Sequence, residues 1–171
     1  MTDALVAFLK ARLDEDEQAA RATDDTLGQR NLRWSTRPEG EAFSKVVANG
    51  HYDVARKLTP ADGAHIAHHD PARTLRDVES KRLLLEQAVT SRHLVTGDHV
   101  MDCPLVTEAD GASAGHVDLI QGLNDMWLEE LGREPVCIDT CGRDARVRRT
   151  LELLALPYSD HPGYAEALAG G

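Results

Sequence analysis

The sequence has few aromatic residues, with two Phe, two Trp and three Tyr in 171 residues. Leucine, valine and alanine must therefore form most of any hydrophobic core. It also lacks an apolar run approaching the roughly 18 residues that a membrane-spanning helix requires. The opening residues Met1–Leu5 have neither the basic start nor the apolar core of an export signal. These absences exclude a membrane protein and predict a cytoplasmic one.

Cysteine is scarce as well, and its number is odd: Cys103, Cys137 and Cys141. A small secreted domain stabilised by disulfides would carry more cysteines, in even number. We therefore expect reduced thiols or metal ligands.

The formal charge of −10 is unevenly distributed. Residues 98–139 contain ten acids and a single base, Arg133, so this segment alone carries a charge of −9. Such a field repels nucleic-acid phosphates, and it suits either a solvated surface or a basic partner. Direct binding of nucleic acid is not expected.

The first half of the chain predicts a helix followed by a small antiparallel sheet. Leu5, Leu9 and Leu13 recur every fourth residue within a helix over 3–27. Three short strands follow over 32–37, 42–47 and 52–56, and Asn49-Gly50 is typical of a tight hairpin turn.

The second half predicts mainly helices. Thr59-Pro60 and Asp70-Pro71 each pair a capping residue with a proline at the first helical position, which predicts a short helix to His69 and a longer one to about Arg92. Further helices are expected over 117–131 and 144–156, with short strands over 100–106 and 136–138. The overall prediction is an α+β fold in a single domain over residues 1–171, with an acidic elaboration at about 97–143.

Two unusual runs, 65–82 and 151–164, resemble a family of small actinobacterial and actinophage proteins, the domain of unknown function 6221. The opening helix and a Trp-containing β segment are similar as well. Many relatives have Cys-Pro where this chain has Arg148 and Arg149, and residues 97–143 do not resemble the usual linker. The resemblance implies a kinship and a phage or mobile-element origin, but no activity.

The central run places His65, His68 and His69 near one helical face, where imidazoles can share a divalent metal. A catalytic zinc helix of the His-Glu-x-x-His type has a glutamate beside its first histidine, whereas Ile66 occupies that position. Packing or surface polarity is the competing interpretation.

The cysteines offer a second ligand set, although the Cys137-x-x-x-Cys141 spacing is looser than a usual zinc knuckle. A four-ligand zinc site would have to recruit Cys103 and one histidine from His93, His99 and His116. The alternative is that the three thiols pack as small apolar groups and that no cofactor is bound.

No glycine-rich phosphate loop or nucleophile elbow occurs, and consecutive residues such as Ser159-Asp160-His161 cannot form a catalytic triad. The leading hypothesis is therefore a non-enzymatic accessory protein that binds a protein partner, possibly a basic one, through an acidic surface. A metal-binding protein or metal-dependent hydrolase is the alternative, an acidic mimic of DNA is the third, and homo-oligomerisation stays open. The partner-binding residues predicted for this surface are Asp118, Asp125, Trp127, Glu129 and Glu130.

Overall fold

A computed structural model describes residues 2–27 and 33–170. Helix α1 spans Asp3–Leu27 and is followed by strands β1 (Trp34–Glu39), β2 (Phe43–Ala48) and β3 (Tyr52–Leu58). The remaining helices are α2 (Pro60–His68), α3 (Pro71–Val89), α4 (Ala114–Leu131), α5 (Arg143–Ala155) and α6 (Tyr164–Ala169). Short 3-10 turns lie at Glu108–Asp110 and Leu156–Tyr158. The predicted α+β class is confirmed.

The chain divides into two compact units. Residues 6–84 form the first unit, and the remaining described residues form the second. The predicted elaboration at about 97–143 lies within the second unit. The single domain over 1–171 stays a prediction. None of the described helices is long and apolar enough to cross a membrane.

The sheet of the first unit is antiparallel, in the order β1-β2-β3. Asn49 and Gly50 adopt positive φ angles of 50° and 72°, and the His51 amide donates to the Ala48 carbonyl at 3.0 Å. A tight turn with two positive φ angles matches the twist of antiparallel strands and suits Asn-Gly. The hairpin predicted from this dipeptide is present.

The strands β2 and β3 change register between their ends, because Ser44 pairs with Leu58 while Val46 pairs with Ala55. The extra residue is accommodated where Lys57 has a φ of 55°. The Glu39 carboxylate accepts a hydrogen bond from the Lys57 amide at 2.7 Å and another from Arg56 Nε at 2.7 Å. One carboxylate on β1 thus supplies the hydrogen-bond acceptor for the amide that the strand ladder leaves unpaired in this irregular stretch of β3.

The helix α2 packs on the sheet at a point where it has no side chain. Val46, Val47 and Ser44 of β2 are buried, and Gly63 of α2 is buried as well. A Cβ atom at Gly63 would collide with Ser44 Oγ, which hydrogen-bonds to the Thr59 carbonyl at 3.1 Å. The glycine is therefore required by the close approach of helix and strand.

The helix starts predicted at the two prolines are confirmed. Thr59 accepts a hydrogen bond from the Asp62 amide at 3.2 Å, and Asp70 accepts one from the Arg73 amide at 2.6 Å. Asp70 also approaches the Trp34 amide at 3.4 Å. Its capping carboxylate consequently links the start of α3 to the first strand.

One hydrophobic cluster of the second unit consists of five buried residues, two of them on α4. These are Cys103, Val106, Val117, Ile120 and Cys141. The strands predicted over 100–106 and 136–138 are wrong, since both segments lie in turns and irregular backbone without strand pairing. Their apolar residues instead pack on this core, with Leu105, Cys137 and Ile138 partly buried against it.

We expect Gly63→Ala to destabilise the protein by about 1–3 kcal/mol, because the added methyl group overpacks the contact with Ser44. The matched control is Gly122→Ala in α4, where an added Cβ meets nothing within 4 Å. That substitution should instead stabilise the protein by about 0.5–1 kcal/mol through helix propensity. Denaturant unfolding measures both changes, and equal effects at the two sites would refute the steric explanation.

The Lys57 amide, and after it the Arg56 guanidinium, lower the pKa of Glu39 below its usual range. A lowered pKa in the folded state stabilises the protein above the unfolded pKa, and that contribution is lost as pH falls through the folded pKa. Glu39→Gln should therefore reduce the midpoint of thermal unfolding at neutral pH and weaken its fall on acidification. The exposed neighbour Glu41→Gln is the control, and a pH dependence unchanged in Glu39→Gln would contradict this account.

Candidate metal centre

Four metal-ligating side chains converge in the second unit. The ligand atoms of His93, Cys103, Cys137 and Cys141 all lie within 4.8 Å of one another. Cys103 and Cys141 are buried, and His93 and Cys137 are half-buried. Three segments contribute: the chain after α3, the turn before the first 3-10 helix, and the loop between α4 and α5.

The imidazole of His93 presents Nδ1 to the sulfur atoms. Nδ1 lies 3.2 Å from the Cys103 sulfur and 3.7 Å from that of Cys141. The opposite ring atom, Nε2, faces an Asp144 carboxylate oxygen at 3.8 Å. A carboxylate on the far side of a ligating histidine favours the tautomer that leaves the other nitrogen free for a metal.

Backbone amides surround the buried sulfur atoms. The Cys141 sulfur accepts a hydrogen bond from the Leu94 amide at 3.2 Å and another from the Arg143 amide. The Cys103 sulfur accepts from the amides of Leu105 and Ile138. In both cases one donor lies two residues after the cysteine, past Gly142 or Pro104. Such donors stabilise the thiolate, which is the form that binds metals.

The surroundings of the two buried thiols shift their pKa values in opposite directions. Burial raises the pKa of Cys103 to about 12, and the neighbouring Cys137 adds to this effect. Burial also acts on Cys141, but the Leu94 and Arg143 amides and the His93 ring outweigh it and lower its pKa to about 7. A bound cation would reverse the penalty on Cys103, since metal coordination deprotonates a thiol outright.

Two buried or half-buried carboxylates hold the ligand-bearing segments in place. Asp110 accepts a hydrogen bond from the His93 amide at 2.7 Å. Asp102 accepts from the amide and hydroxyl of Thr96 and from His116 Nε2, the last at 2.5 Å. Burial alone would raise the pKa of Asp102, but these hydrogen bonds hold it below its usual range. The backbone on both sides of the cluster is thereby fixed.

The distances suit a tetrahedral zinc ion. Thiolate and imidazole ligands at about 2.3 and 2.0 Å from zinc lie about 3.5–3.8 Å apart in a tetrahedron. The two sulfur–nitrogen distances, 3.2 and 3.7 Å, are close to this range. All four donor atoms lie within 4.8 Å of one another, so the wider pairs would have to draw together to coordinate one ion.

Comparison with known proteins places the chain in a family. Residues 2–168 match the model of one protein family, described as a family of unknown function (DUF6221). The chain belongs to this family. No curated protein and no solved structure matches it. The match confirms the resemblance seen in the sequence. It also includes residues 97–143, which did not resemble the usual linker. An actinobacterial or phage source stays a prediction.

The three histidines predicted as ligands from the central run of this DUF6221 protein do not belong to the cluster of His93 and the cysteines. The rings of His65 and His69 have centroids 4.7 Å apart, and those of His68 and His69 are 5.3 Å apart. All three are exposed, and His68 Nε2 contacts the Arg73 guanidinium. Their donor atoms are not brought together as those of the cysteine cluster are, so their role as ligands stays a prediction.

Sequence reasoning named the three cysteines but left the histidine open. The structure places His93 in the cluster, while His116 is bound to Asp102 and His99 is exposed. Two sequence signals were available, Cys103-Pro104 and Cys141-Gly142. Proline or glycine after a cysteine favours the tight turn whose amide points back to the sulfur. Arg148, where the resemblance implied a cysteine in many relatives, is not needed for a four-ligand set.

The basic residues at the start of α5 support the cluster. Arg143 donates to the carbonyls of Ser91 and Val89 at 3.0 and 3.2 Å, and Arg146 donates to the Cys141 carbonyl at 2.7 Å. Arg143 also pairs with Asp144 at 2.8 Å. These guanidinium groups fix the loop that carries Cys141 and the carboxylate that faces His93.

The predicted partner-binding residues all lie on α4 and are exposed at its surface. They are Asp118, Asp125, Trp127, Glu129 and Glu130. None of the four carboxylates has an ion pair among the described residues. Trp127 is 42% exposed. Their part in partner binding stays a prediction.

We expect Asp144→Asn to weaken metal binding about tenfold, the low end of what a carboxylate behind a ligating histidine contributes. The amide retains the size of the side chain but removes its charge. Competition with a chromogenic zinc chelator measures the affinity. Glu152→Gln, an acid on the same helix paired with Arg148, is the control. Equal affinities in the two variants would argue against a positioning role for Asp144.

Proposed function

We propose that this protein binds one zinc ion through His93, Cys103, Cys137 and Cys141. The observation that carries the proposal is the convergence of the four donor atoms within 4.8 Å. Amide donors to the sulfur atoms and a carboxylate behind the histidine are the usual surroundings of a metal centre. The proposal retains one of the two ligand sets that the sequence suggested and completes it with His93.

The donor set favours zinc over other divalent ions. Thiolates and an imidazole in a tetrahedral arrangement suit Zn²⁺, whereas Mg²⁺ and Ca²⁺ prefer oxygen ligands in larger coordination shells. Three cysteines and one histidine are also among the common ligand combinations of structural zinc. The net charge of the coordinated set would be −1, which the guanidinium groups of Arg143 and Arg146 at the same loop offset.

A structural role follows from the number of ligands. A catalytic zinc site keeps one position open for water or substrate, whereas four protein ligands close the shell. The zinc would cross-link the chain before α4 to the chain after it, because His93 and Cys141 are 48 positions apart in the sequence. Its proposed function is therefore to stabilise the second unit, and the metal-dependent hydrolase suggested by the sequence gains no support from this geometry.

Protein purified without a histidine tag should contain about one equivalent of zinc per chain by elemental analysis. Removing it with a strong chelator should lower the unfolding midpoint by about 10 °C, since a tightly bound ligand contributes about 4 kcal/mol. His93→Ala and Cys141→Ser should each abolish stoichiometric binding. Protein with less than about a tenth of an equivalent would overturn the proposal, because structural sites bind tightly.

Matched histidine variants separate the two ligand sets. His99→Ala removes an exposed imidazole near the cluster, and the triple variant His65→Ala/His68→Ala/His69→Ala removes the histidines of the central run. Both should retain the zinc content of the wild type. Loss of zinc in the triple variant alone would assign the metal to the histidines of the central run.

The second candidate function is the predicted interaction with a protein partner through the acidic surface. It is supported by the four exposed acids of α4, which lack an ion pair among the described residues. The two functions are compatible, because zinc would stabilise the same unit that presents α4. The interpretation as a DNA mimic and the phage or mobile-element origin stay predictions.

A further inference from the structure

The exposed face of α4 carries two parallel stripes of different chemistry. The acidic stripe consists of Asp118, Asp125 and Glu129, which recur at spacings of seven and four residues and so lie above one another. Beside it runs an apolar stripe of small and large residues at spacings of three and four. These residues are Gly115, Leu119, Gly122 and Met126.

The apolar stripe is open to solvent. Leu119 is 47% exposed and Met126 is 41% exposed. The opposite side of the helix is the side that packs, because Val117 and Ile120 are buried there. Large apolar side chains aligned on an exposed helix face, with charges along their edge, are typical of a surface that binds another protein.

The two glycines of the stripe leave the helix backbone uncovered at their positions. An added Cβ at either Gly115 or Gly122 would meet nothing within 4 Å. Neither glycine has a positive φ angle, and α4 would be more stable with alanine. Nothing in the described part of the chain therefore requires these glycines, whereas close approach of a second backbone would.

The acids of α4 are grouped on one helix without a base beside them. Some acids elsewhere in the described chain pair with bases of the same molecule, as Glu17 does with Arg82 and Glu39 does with Arg56. Helix α4 has four acids and no lysine or arginine. A basic partner would supply the charge that this helix lacks.

We propose that this face of α4 binds a basic amphipathic helix of a protein partner. The partner's aliphatic side chains would lie beside Leu119 and Met126, its backbone would approach Gly122, and its lysine or arginine residues would pair with the acidic stripe. This inference rests on the second candidate function and does not depend on the metal. It specifies the class of partner that the acidic surface takes.

A second copy of this chain is disfavoured as the occupant. In a symmetric dimer the same patch faces itself, so the two acidic stripes would lie against each other. Like charges in such a contact oppose association. The unpaired carboxylates thus favour a basic partner over self-association.

The test uses zinc-replete full-length protein and three synthetic 18-residue peptides, with affinities measured by calorimetry. The first is an amphipathic helix of lysine, leucine and alanine, the second has the same composition in an order without an apolar face, and the third has glutamate in place of lysine. The first should bind about tenfold more tightly than the second, and its affinity should fall as salt rises. The third should not bind.

Three variants locate the contact. Reversing the charge of the acidic stripe with Asp118→Lys/Asp125→Lys/Glu129→Lys should lower the affinity for the first peptide about 50-fold. The control Glu79→Lys/Glu86→Lys/Asp160→Lys changes the net charge equally at exposed acids on other elements, and it should lower the affinity less than about threefold. Gly122→Ala should raise the thermal midpoint of the free protein while it weakens the peptide about fivefold. Circular dichroism and zinc content check that each variant is folded.

The outcomes distinguish the partner class from the interaction role. If the non-amphipathic lysine peptide binds as tightly as the first and the α4 reversal weakens both, the acidic surface is retained and the helical partner is refuted. If neither peptide binds, or if the two charge-reversal variants lose affinity equally, the interaction surface on α4 is refuted as well. Concentration-dependent dimerisation that the α4 reversal abolishes would identify a second copy as the occupant and overturn the proposal.

Discussion

The second unit depends on the meeting of three sulfur atoms and one imidazole at a single point. Two of those sulfur atoms belong to its buried core. Most of the surrounding chain is turn and irregular backbone, with few amides paired in regular structure. Amides such as that of Leu94 donate to sulfur instead. The cluster thus serves as hydrophobic core and hydrogen-bond acceptor together, which explains how a segment with little secondary structure is held in one conformation.

The first unit is built on different principles. Its three strands pair in a continuous antiparallel sheet, α2 packs on that sheet, and capping residues define the helix starts. Its ion pairs join elements distant in sequence, since Arg82 of α3 contacts both Asp14 and Glu17 of α1. Regular hydrogen bonding and side-chain packing hold these elements together.

Local signals predicted the first unit well because its elements follow local rules. Thr59-Pro60, Asp70-Pro71 and Asn49-Gly50 each specify a backbone geometry that depends on adjacent residues only. The strands predicted over 100–106 and 136–138 are wrong for the complementary reason. Their alternating apolar residues pack around sulfur atoms from distant segments, and that pattern looks like a strand in a local window.

The candidate site was predictable in part. The three cysteines indicated either reduced thiols or metal ligands, but the choice among three histidines depends on a contact across ten residues of irregular chain. Spacing alone could not select His93, since Asp110 and Asp102 set the paths of the loops. The acidic surface followed from composition, whereas the apolar stripe beside it required knowledge of which helix face is buried.

The irregular loops around the cluster have a consequence for the lifetime of the protein in a cell. Proteases cleave exposed, irregular backbone more readily than helices. Residues 107–109 and 132–136 on either side of α4 are exposed, and the order of these segments depends on the groups that meet at Cys103 and Cys141. Loss of a bound metal, or oxidation of these thiols, would thus turn the loops into cleavage sites and couple the abundance of the protein to the metal and redox state of its surroundings.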